Sequence, residues 1–254
     1  MQGHRFDLDG IRIAAKNFGM KEVAKWGNAQ QIRVAEKYLR SNGVLMITLW
    51  GRTNSINVQK VLWVLDHLKI PYQRIDAGLQ FGVNNTPEFL AMNPHGKIPL
   101  IKDGETTVWE SHAICKYLCN ITPGQTLYPT DAASRAQVDA WLDWAISALY
   151  VSMSFVFQQL IRTPEEKRNP ARIEEERKKT VDCFRLLNQH LQGRKFIVGE
   201  KMTLADIIIS AATYRCDAIG VISVDSPECA GLKPWFAAMR EQAEYKHWVE
   251  IPLS

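Results

Sequence analysis

The chain has 254 residues, of which 46% are apolar and 23% charged, and its formal net charge is +4. This composition excludes the disordered, collagen-like and coiled-coil classes, and a typical domain length of roughly 150 residues predicts two compact domains here. No apolar run approaches the roughly 18 residues of a membrane-spanning helix, and the first thirty residues lack the apolar core of a secretory signal. We therefore expect neither a membrane partner nor export.

The distribution of charge and the cysteine content narrow the class of protein further. Residues 1–45 hold eight Lys or Arg against four Asp or Glu, so the rest of the chain has 23 of each and is neutral. Proteins that bind nucleic-acid phosphates concentrate positive charge on the folded body, so we expect no nucleic-acid partner. The five cysteines are an odd number without the density of a disulfide scaffold, which favours a reducing, cytoplasmic setting.

Residues 1–45 are weakly patterned apart from a helix predicted at about Ile32–Leu39, which the sequence Ser41-Asn42-Gly43 closes. We interpret this segment as an N-terminal extension that is disordered or not native. A genuine extension, a transit-like segment and upstream codons read as protein all stay open. The acidic residues of the segment argue against a transit peptide.

Residues 46–121 alternate between strand-like and helix-like patterns, and Met46 opens this compact unit. Between the last two strands, Lys102–Glu105 contains an Asp-Gly pair, which is typical of a tight hairpin turn. The order β-α-β-α-β-β-α predicts a small mixed sheet covered by helices. The predicted elements are strands at Met46–Trp50, Tyr72–Asp76, Ile98–Ile101 and Thr106–Trp109, and helices at Asn57–Leu68, Pro87–Met92 and Glu110 to about Cys119.

After a turn-rich linker at 120–131, all the patterning is helical. Thr203 and Asp206 have the spacing of a helix capping box, which indicates a structural role for Asp206. We therefore expect the α+β class, with one domain at 46–121 and an all-helical domain at 132–254. The predicted helices are Ala132 to about Leu160, Pro170–Leu191, Thr203–Asp217 and Leu232–Ala243.

The clearest local motif is Asn93–Ile101, which reads NPHGKIPLI and places Pro99 at the start of a strand. The peptide bond before a proline adopts the cis form at little cost in free energy, because its preference for trans is only about 0.5–1 kcal/mol. A cis bond would turn Ile98 outward and leave its N–H and C=O without a partner strand. Such an edge can pair with an extended chain, so the motif predicts a site for a peptide-like ligand.

Two further segments place polar side chains at helix starts. Glu110 and Ser111 stand where the fourth strand becomes a helix, a place that suits a ligand carboxylate, and Glu110 can match a ligand ammonium group. Ser55 and Asn57 follow the first strand, where hydrogen-bond donors and a helix start lower the pKa of a bound thiol. Simple helix capping is the alternative at both places, and it stays open.

Together these segments resemble the glutathione transferase family, of theta-like or nu-like bacterial type, over Met46–Leu253. The resemblance implies a thioredoxin-like glutathione-binding domain followed by an all-helical domain, the order already predicted. It also implies a cytoplasmic detoxification enzyme, usually a homodimer, that activates the glutathione thiol for attack on an electrophile, a peroxide or a disulfide. Glutathione is then the co-substrate, the second substrate is small and hydrophobic or electrophilic, and no metal or other cofactor is implied.

The resemblance assigns the site residues. The catalytic candidates are Ser55, which falls where theta-like and nu-like members direct a serine or threonine at the glutathione sulfur, and Asn57, where a nu-like member has an asparagine. The glutathione-binding candidates are Ile98 for the cysteinyl unit, Glu110 and Ser111 for the γ-glutamyl end, and Asn84 and Lys97 for the glycyl end.

The first-strand loop, 51–57, departs from other classes of the family, because it has neither the tyrosine of alpha, mu and pi members nor the cysteine of omega and beta members. The missing cysteine puts in doubt lyase or mixed-disulfide chemistry through an enzyme cysteine. Two alternatives stay open: a glutathione-dependent disulfide reductase or peroxidase, and a non-catalytic binding module of the same fold. His112, Cys115 and Cys119 can share one helix face, but no second pair of ligands accompanies them, so we expect core packing rather than zinc. By the resemblance, Met153 and the exposed aromatic residues of the long helix are candidates for the electrophile pocket.

Overall fold

The computed structural model describes residues 46–254, so the predicted extension 1–45 and its helix at Ile32–Leu39 lie outside the described residues. The chain divides into two compact units between Thr122 and Pro123. The predicted fold class is confirmed, because the first unit contains a four-stranded mixed sheet with helices. The second unit, Pro123–Ser254, contains helices and turns but no strand.

The first unit has the predicted element order, with one shift in the third strand. Predicted at Ile98–Ile101, this strand begins at Leu100, because Pro99 has no N–H to donate to the sheet. It extends through Asp103, so the hairpin turn consists of Gly104 and Glu105 alone, and Gly104 has a φ of 58°. The elements are β1 (Ile47–Trp50), α1 (Ile56–His67), β2 (Tyr72–Ile75), a 3-10 turn (Leu79–Phe81), α2 (Pro87–Met92), β3 (Leu100–Asp103), β4 (Thr106–Trp109) and α3 (Ser111–Asn120).

The sheet has the strand order β2-β1-β3-β4, in which β1 and β2 are parallel and the other two pairs antiparallel. Trp50 of β1 pairs with Ile75 of β2 and with Leu100 of β3, and Leu100 pairs with Trp109 of β4. We call these four residues the Trp50 row. The row lies at the edge where β1, β2 and β4 end and β3 begins, so the loops that leave it emerge side by side.

Helix α1 is more deeply buried than its sequence pattern indicates, and it packs against α3. A single apolar stripe was predicted, whereas every residue from Val58 to Leu65 is buried. The polar side chains of Gln59 and Lys60 are included in this buried stretch. A helix with neighbours on more than one side buries positions that an amphipathic pattern would assign to solvent.

The second unit is built from one long helical run and four further helices. In the run, a π-helical segment at Ala145–Leu149 joins the first two helices, and a second one, Gln158–Arg162, ends it. The fourth predicted helix, Leu232–Ala243, ends earlier, because Gln242 is extended and starts a separate short helix. The helices are α4 (Ala132–Trp144), α5 (Tyr150–Phe157), α6 (Pro170–His190), α7 (Leu204–Ala218), α8 (Leu232–Arg240) and α9 (Ala243–Trp248), with 3-10 turns at Glu165–Lys167 and Pro227–Cys229.

The predicted capping box at the start of α7 is present and buried. The Asp206 carboxylate accepts hydrogen bonds from the Thr203 N–H at 2.8 Å and from the Thr203 hydroxyl at 3.0 Å. It also accepts from the Ile197 N–H at 2.8 Å and from the indole N–H of Trp235 at 2.9 Å. Asp206 therefore joins the start of α7 to the preceding loop and to α8, which confirms its structural role.

The helical run Ala132–Arg162 is 31 residues long and contains an 18-residue window of mean hydropathy 1.4. By length and composition alone it is long and apolar enough to cross a membrane, contrary to our expectation. That expectation considered unbroken apolar runs, whereas this window mixes apolar residues with uncharged polar ones. The core helices of globular domains meet the same criterion, so the run is only a weak indication of a membrane span.

Candidate functional site

The Trp50 row groups the segments that carry the predicted site residues. Neighbouring strands of a sheet lie about 4.8 Å apart, so segments that leave one row begin within a few such spacings of one another. The sheet therefore brings together residues that are up to 60 positions apart in the sequence. The segments are 51–57 after β1, 76–84 after β2, 97–99 before β3 and 110–111 after β4.

Ser55 stands at the N-terminus of α1 with an extended backbone, and its side chain makes no capping hydrogen bond. Its exposed fraction is 8%, and its hydroxyl has no hydrogen-bond partner among residues 46–254. The capping interpretation of this residue is therefore wrong, and a buried hydroxyl next to a helix start is available to a ligand. Asn57, the second residue of α1, is half-buried, and within the described part of the chain its amide is likewise unbonded.

The loop that leads to Ser55 is held by contacts with its neighbours. A guanidinium N–H of Arg74, on β2, donates to the carbonyl oxygen of Gly51 at 2.9 Å, and Arg74 also pairs with Asp76. A Cβ atom at position 51 would lie 2.5 Å from Cγ2 of Val58, so only glycine fits there. Sequence reasoning missed Arg74, because its partner is a backbone carbonyl that no motif marks.

The peptide bond between Ile98 and Pro99 is cis, as the sequence predicts. Ile98 lies outside β3, and neither its N–H nor its C=O has a hydrogen-bond partner among residues 46–254. Gly78, with a φ of 86°, packs against its side chain, since a Cβ there would lie 2.9 Å from Cδ1 of Ile98. The loop after β2 and the segment before β3 are therefore in contact, and the Ile98 backbone is available to pair with an extended ligand.

The segment before Ile98 is shaped by Asn93, which sequence reasoning missed. Asn93 is 1% exposed, its amide donates to the Lys97 carbonyl at 2.8 Å, and its oxygen accepts from the His95 N–H at 3.0 Å. An asparagine that accepts a hydrogen bond from the backbone two residues later forms a recognised turn. The Asn-Pro-His-Gly sequence was a usable signal for this turn.

The two residues expected at the glycyl end behave differently from one another. The amide of Asn84 donates to the carbonyl oxygen of Gly96 at 2.8 Å, so this group ties the loop after β2 to the segment before Ile98. Lys97 is exposed and has no ion pair within the described range. The ammonium group of Lys97 is therefore open to a ligand anion, whereas the amide donor of Asn84 is engaged with the protein.

Glu110 occupies a backbone conformation with a φ of 69°, which is uncommon for a residue other than glycine. Its exposed side chain makes no capping hydrogen bond at α3, so the capping interpretation is wrong here as well. Ser111, the first residue of α3, is 5% exposed, and its hydroxyl has no partner among residues 46–254. Backbone strain of this kind is concentrated at functional sites.

The buried cysteines do not have the character of nucleophiles. Burial raises the pKa of Cys115 to about 12 and also raises the pKa of Cys119 and of Cys216. All three therefore remain thiols near neutral pH, and a thiol is a poor nucleophile. The described residues contain no group of three or more His, Cys, Asp or Glu side chains that could hold a metal ion.

Of the electrophile-pocket candidates on the long helix, Met153 is corrected. It is buried in the core, which argues against its lining an open pocket. Trp141, Trp144 and Phe155 keep part of their surface accessible. An amphipathic pattern cannot separate these two groups, because both contain large apolar side chains.

Two family models and several known proteins match this chain. The model "Glutathione S-transferase, N-terminal domain" matches residues 45–120, and the corresponding C-terminal domain model matches residues 149–243. Glutathione S-transferase GstB of Escherichia coli K12 is 37% identical over 211 residues, which are 82% of this chain and 100% of the relative. Glutathione S-transferase 1 of Manduca sexta is 30% identical over 80% of this chain and 91% of the relative.

A solved structure is similar over both units. The theta class glutathione S-transferase from the citrus canker pathogen Xanthomonas axonopodis pv. citri, crystallised with glutathione bound, is 33% identical, with a TM-score of 0.75. The similarity covers 83% of this chain and 100% of that chain. Both family models and a full-length relative above 30% identity thus match the chain, which belongs to the glutathione S-transferase family.

Proposed function

We propose that this chain is a cytoplasmic glutathione transferase, active as a homodimer, that activates the glutathione thiol and delivers it to a small hydrophobic or electrophilic substrate in detoxification. Glutathione is the co-substrate, and the proposal requires no metal, nucleic acid or membrane. Support comes from the family membership and from glutathione in the related Xanthomonas structure.

One observation carries the proposal: unused polar groups lie on the segments that leave the Trp50 row. They are the hydroxyl of Ser55, the backbone N–H and C=O of Ile98 and the hydroxyl of Ser111. The hydroxyl oxygens of Ser55 and Ser111 are not among the described buried side-chain atoms that lack a partner, so a ligand can reach them without breaking a hydrogen bond within the described protein. These groups match the thiol, the central peptide unit and the γ-glutamyl end of glutathione in that order.

In the proposed chemistry, the Ser55 hydroxyl donates to the glutathione sulfur, with the Asn57 amide as a second donor. Both donors and the positive end of α1 stabilise the thiolate over the thiol, which lowers the thiol pKa. The thiolate then attacks an electrophilic carbon; a carbon–sulfur bond forms, and the electron pair of the broken bond leaves with the displaced group.

The remaining residues hold the ligand. The N–H and C=O of Ile98 pair with the cysteinyl unit, and Ser111 at the start of α3 binds the γ-glutamyl carboxylate. Glu110 pairs with the γ-glutamyl ammonium group, and Lys97 with the glycyl carboxylate. Asn84 acts at the glycyl end by fixing the loop that carries Gly96 and Lys97.

The test is the ultraviolet absorbance of the thiolate of bound glutathione as a function of pH, in wild type and in Ser55→Ala. A free cysteine thiol has a pKa of about 8.5, and we expect binding to lower the pKa by at least one unit. Ser55→Ala should reverse most of this fall. A fall that persists in the variant would transfer the role to Asn57 or to the helix start, and binding without any fall would favour a non-catalytic binding module.

Turnover with two substrate classes tests the other alternative. An aryl halide reports on conjugation, and a small mixed disulfide reports on glutathione-dependent disulfide reduction. We expect conjugation to be measurable in wild type and to fall in Ser55→Ala. Disulfide turnover that greatly exceeds conjugation would favour the reductase alternative.

A further inference from the structure

A side chain of β2 holds the first residue of the loop that leads to Ser55. The N–H of Gly51 donates to the carbonyl oxygen of Ile75 at 2.9 Å, which continues the pairing of β1 with β2. Among residues 46–254 no backbone N–H donates to the carbonyl oxygen of Gly51. Instead, a guanidinium N–H of Arg74 donates to it at 2.9 Å. The arginine therefore supplies the donor that a further residue of a paired strand would supply.

The guanidinium of Arg74 is itself held in place. Its Nη1 atom donates both to the Gly51 carbonyl and to the carboxylate of Asp76, and this nitrogen has two N–H groups, one for each acceptor. The side chains are 15% exposed for Arg74 and 28% exposed for Asp76, so solvent competes little for these bonds. Because the carboxylate balances the charge of the guanidinium, the pair presents a fixed hydrogen-bond donor to the loop rather than a net charge.

Short contacts connect Gly51 with Ser55. The N–H of Ser55 donates to the carbonyl oxygen of Arg52 at 3.2 Å, and the guanidinium of Arg52 donates to the side-chain oxygen of Asn54 at 2.6 Å. Gly51 lies against α1, since a Cβ atom there would be 2.5 Å from Cγ2 of Val58. The carbonyl held by β2 and the serine at the start of α1 are thus the two ends of one tightly connected loop.

The position of the Ser55 hydroxyl depends on this loop. Within the described part of the chain the hydroxyl has no hydrogen-bond partner, so only the backbone that carries it determines where it lies. A hydrogen bond weakens steeply as its distance and angle depart from the preferred values. A displacement of about 1 Å in a catalytic group can cost up to 100-fold in rate. A residue that fixes the loop can therefore affect the bound thiol without contacting it.

We propose that Arg74 is a positioning residue: by holding the Gly51 carbonyl, it fixes the loop that places the Ser55 hydroxyl against the glutathione sulfur. The inference rests on the proposed function, because it requires Ser55 to act on a bound thiol. Arg74 acts through Ser55, and Asp76 keeps the guanidinium oriented toward the loop.

The test is a double-mutant cycle on the pKa of the bound thiol. The pKa is measured from the ultraviolet absorbance of the thiolate in wild type, Ser55→Ala, Arg74→Met and the double variant. Calorimetry gives the dissociation constant of glutathione for each protein, and circular dichroism shows which variants are folded. The matched control is Arg185→Met, because Arg185 also pairs with an aspartate, Asp182, at 2.6 Å, but on the exposed face of α6.

We expect Arg74→Met to raise the pKa of the bound thiol by about one unit, a tenfold smaller thiolate fraction at low pH, which is within the cost of a displaced catalytic group. The affinity for glutathione should change less than about twofold, because the groups that hold the ligand lie on other segments. In the Ser55→Ala background the same substitution should leave the pKa unchanged. Additive effects, or an unchanged pKa in Arg74→Met, would overturn the inference.

Two further variants complete the test. If Arg74→Met does not fold, Arg74→Gln decides, because glutamine stays polar but ends two bonds short of Nη1 and loses the contact with Gly51. Asp76→Asn distinguishes position from charge, since it leaves the charge of Arg74 unbalanced. We expect the pKa of the bound thiol to stay the same or to rise in Asp76→Asn. A fall would show that Arg74 acts through its charge and would overturn the inference.

The outcomes also separate this inference from the proposed function. If the bound thiol of wild type keeps an ordinary pKa, the proposed function is refuted and this inference with it. If wild type lowers the pKa and Arg74→Met does not change it, only the role of Arg74 is refuted.

Discussion

The side-chain amide of Asn93 donates a hydrogen bond of 2.8 Å to the carbonyl oxygen of Lys97 and thereby fixes the residue that precedes Ile98. Asn93 itself follows α2 and is buried. Its position makes it a support for the ligand-pairing backbone rather than a ligand-binding residue. The effect of such a supporting residue on glutathione binding can be measured separately from the effect of the residues that act on the thiol.

We expect Asn93→Ala to raise the KM for glutathione several-fold, because the segment at Ile98 loses its anchor. The free energy of unfolding should fall by about 1–3 kcal/mol, since two backbone groups lose a buried partner. The pKa of the bound thiol should change little, because Ser55 lies on a different loop. Steady-state kinetics and urea unfolding measure both effects, with Asn120→Ala at the exposed end of α3 as the control. A stability loss with an unchanged KM would contradict the supporting role.

Ser55→Ala should separate activity from stability. The Ser55 hydroxyl caps nothing, so the free energy of unfolding should change by no more than about 0.5 kcal/mol, while kcat/KM falls at least tenfold. The matched control is Asn169→Ala, because the Asn169 side chain does cap α6, accepting from the Arg172 N–H at 3.1 Å. That variant should lose about 1 kcal/mol of stability and keep its activity. A comparable stability loss in Ser55→Ala would show that its hydroxyl has a structural partner.

Glu110→Gly should stabilise the protein and weaken glutathione binding. Glycine adopts a φ of 69° without strain, and the relief exceeds the entropic cost of glycine by about 1 kcal/mol. The lost carboxylate should reduce the affinity for glutathione about tenfold. Glu110→Gln is the control for the backbone, since it removes the charge and keeps the strain. Thermal unfolding and calorimetry provide the measurements, and an unchanged affinity in both variants would remove Glu110 from the site.

His112 should make the protein sensitive to acid. Its pKa is lowered to about 2 in the folded state, against about 6.5 in the unfolded chain, so below pH 6.5 only the unfolded state takes up the proton. The contribution of the neutral His112 to the free energy of unfolding is therefore complete above pH 6.5. Below that value it decreases by about 1.4 kcal/mol for each pH unit. Between pH 7 and pH 5 wild type should therefore lose about 2 kcal/mol more than His112→Gln, whose amide oxygen still accepts from Lys60. Urea unfolding at both pH values measures the difference, and His95→Gln, at an exposed histidine, controls for the substitution itself. Parallel curves for wild type and His112→Gln would refute this linkage.

Several parts of the fold and site were accessible from local sequence signals. The strand and helix order, the cis bond before Pro99 and the capping box at Asp206 each depend on residues within a few positions of one another. Ile98 and Pro99 were wrongly assigned to β3, because apolar patterning does not reveal where a hydrogen bond between neighbouring strands is missing. The split between α8 and α9 was missed for a similar reason: the extended backbone of Gln242 has no signal as strong as glycine or proline.

The sequence by itself determined which residue types stand at the three strand ends and helix starts, because strand patterns, Pro99 and the polar residues beside it are local properties of the chain. Only the tertiary structure decided that the hydroxyls of Ser55 and Ser111 are left unused and that Lys60 is buried against His112. Lys60 and His112 are 52 residues apart, and their hydrogen bond exists because α1 and α3 pack together. Whether a polar side chain caps its own helix, supports a loop or remains free for a ligand depends on neighbours that folding supplies, and no local pattern contains them.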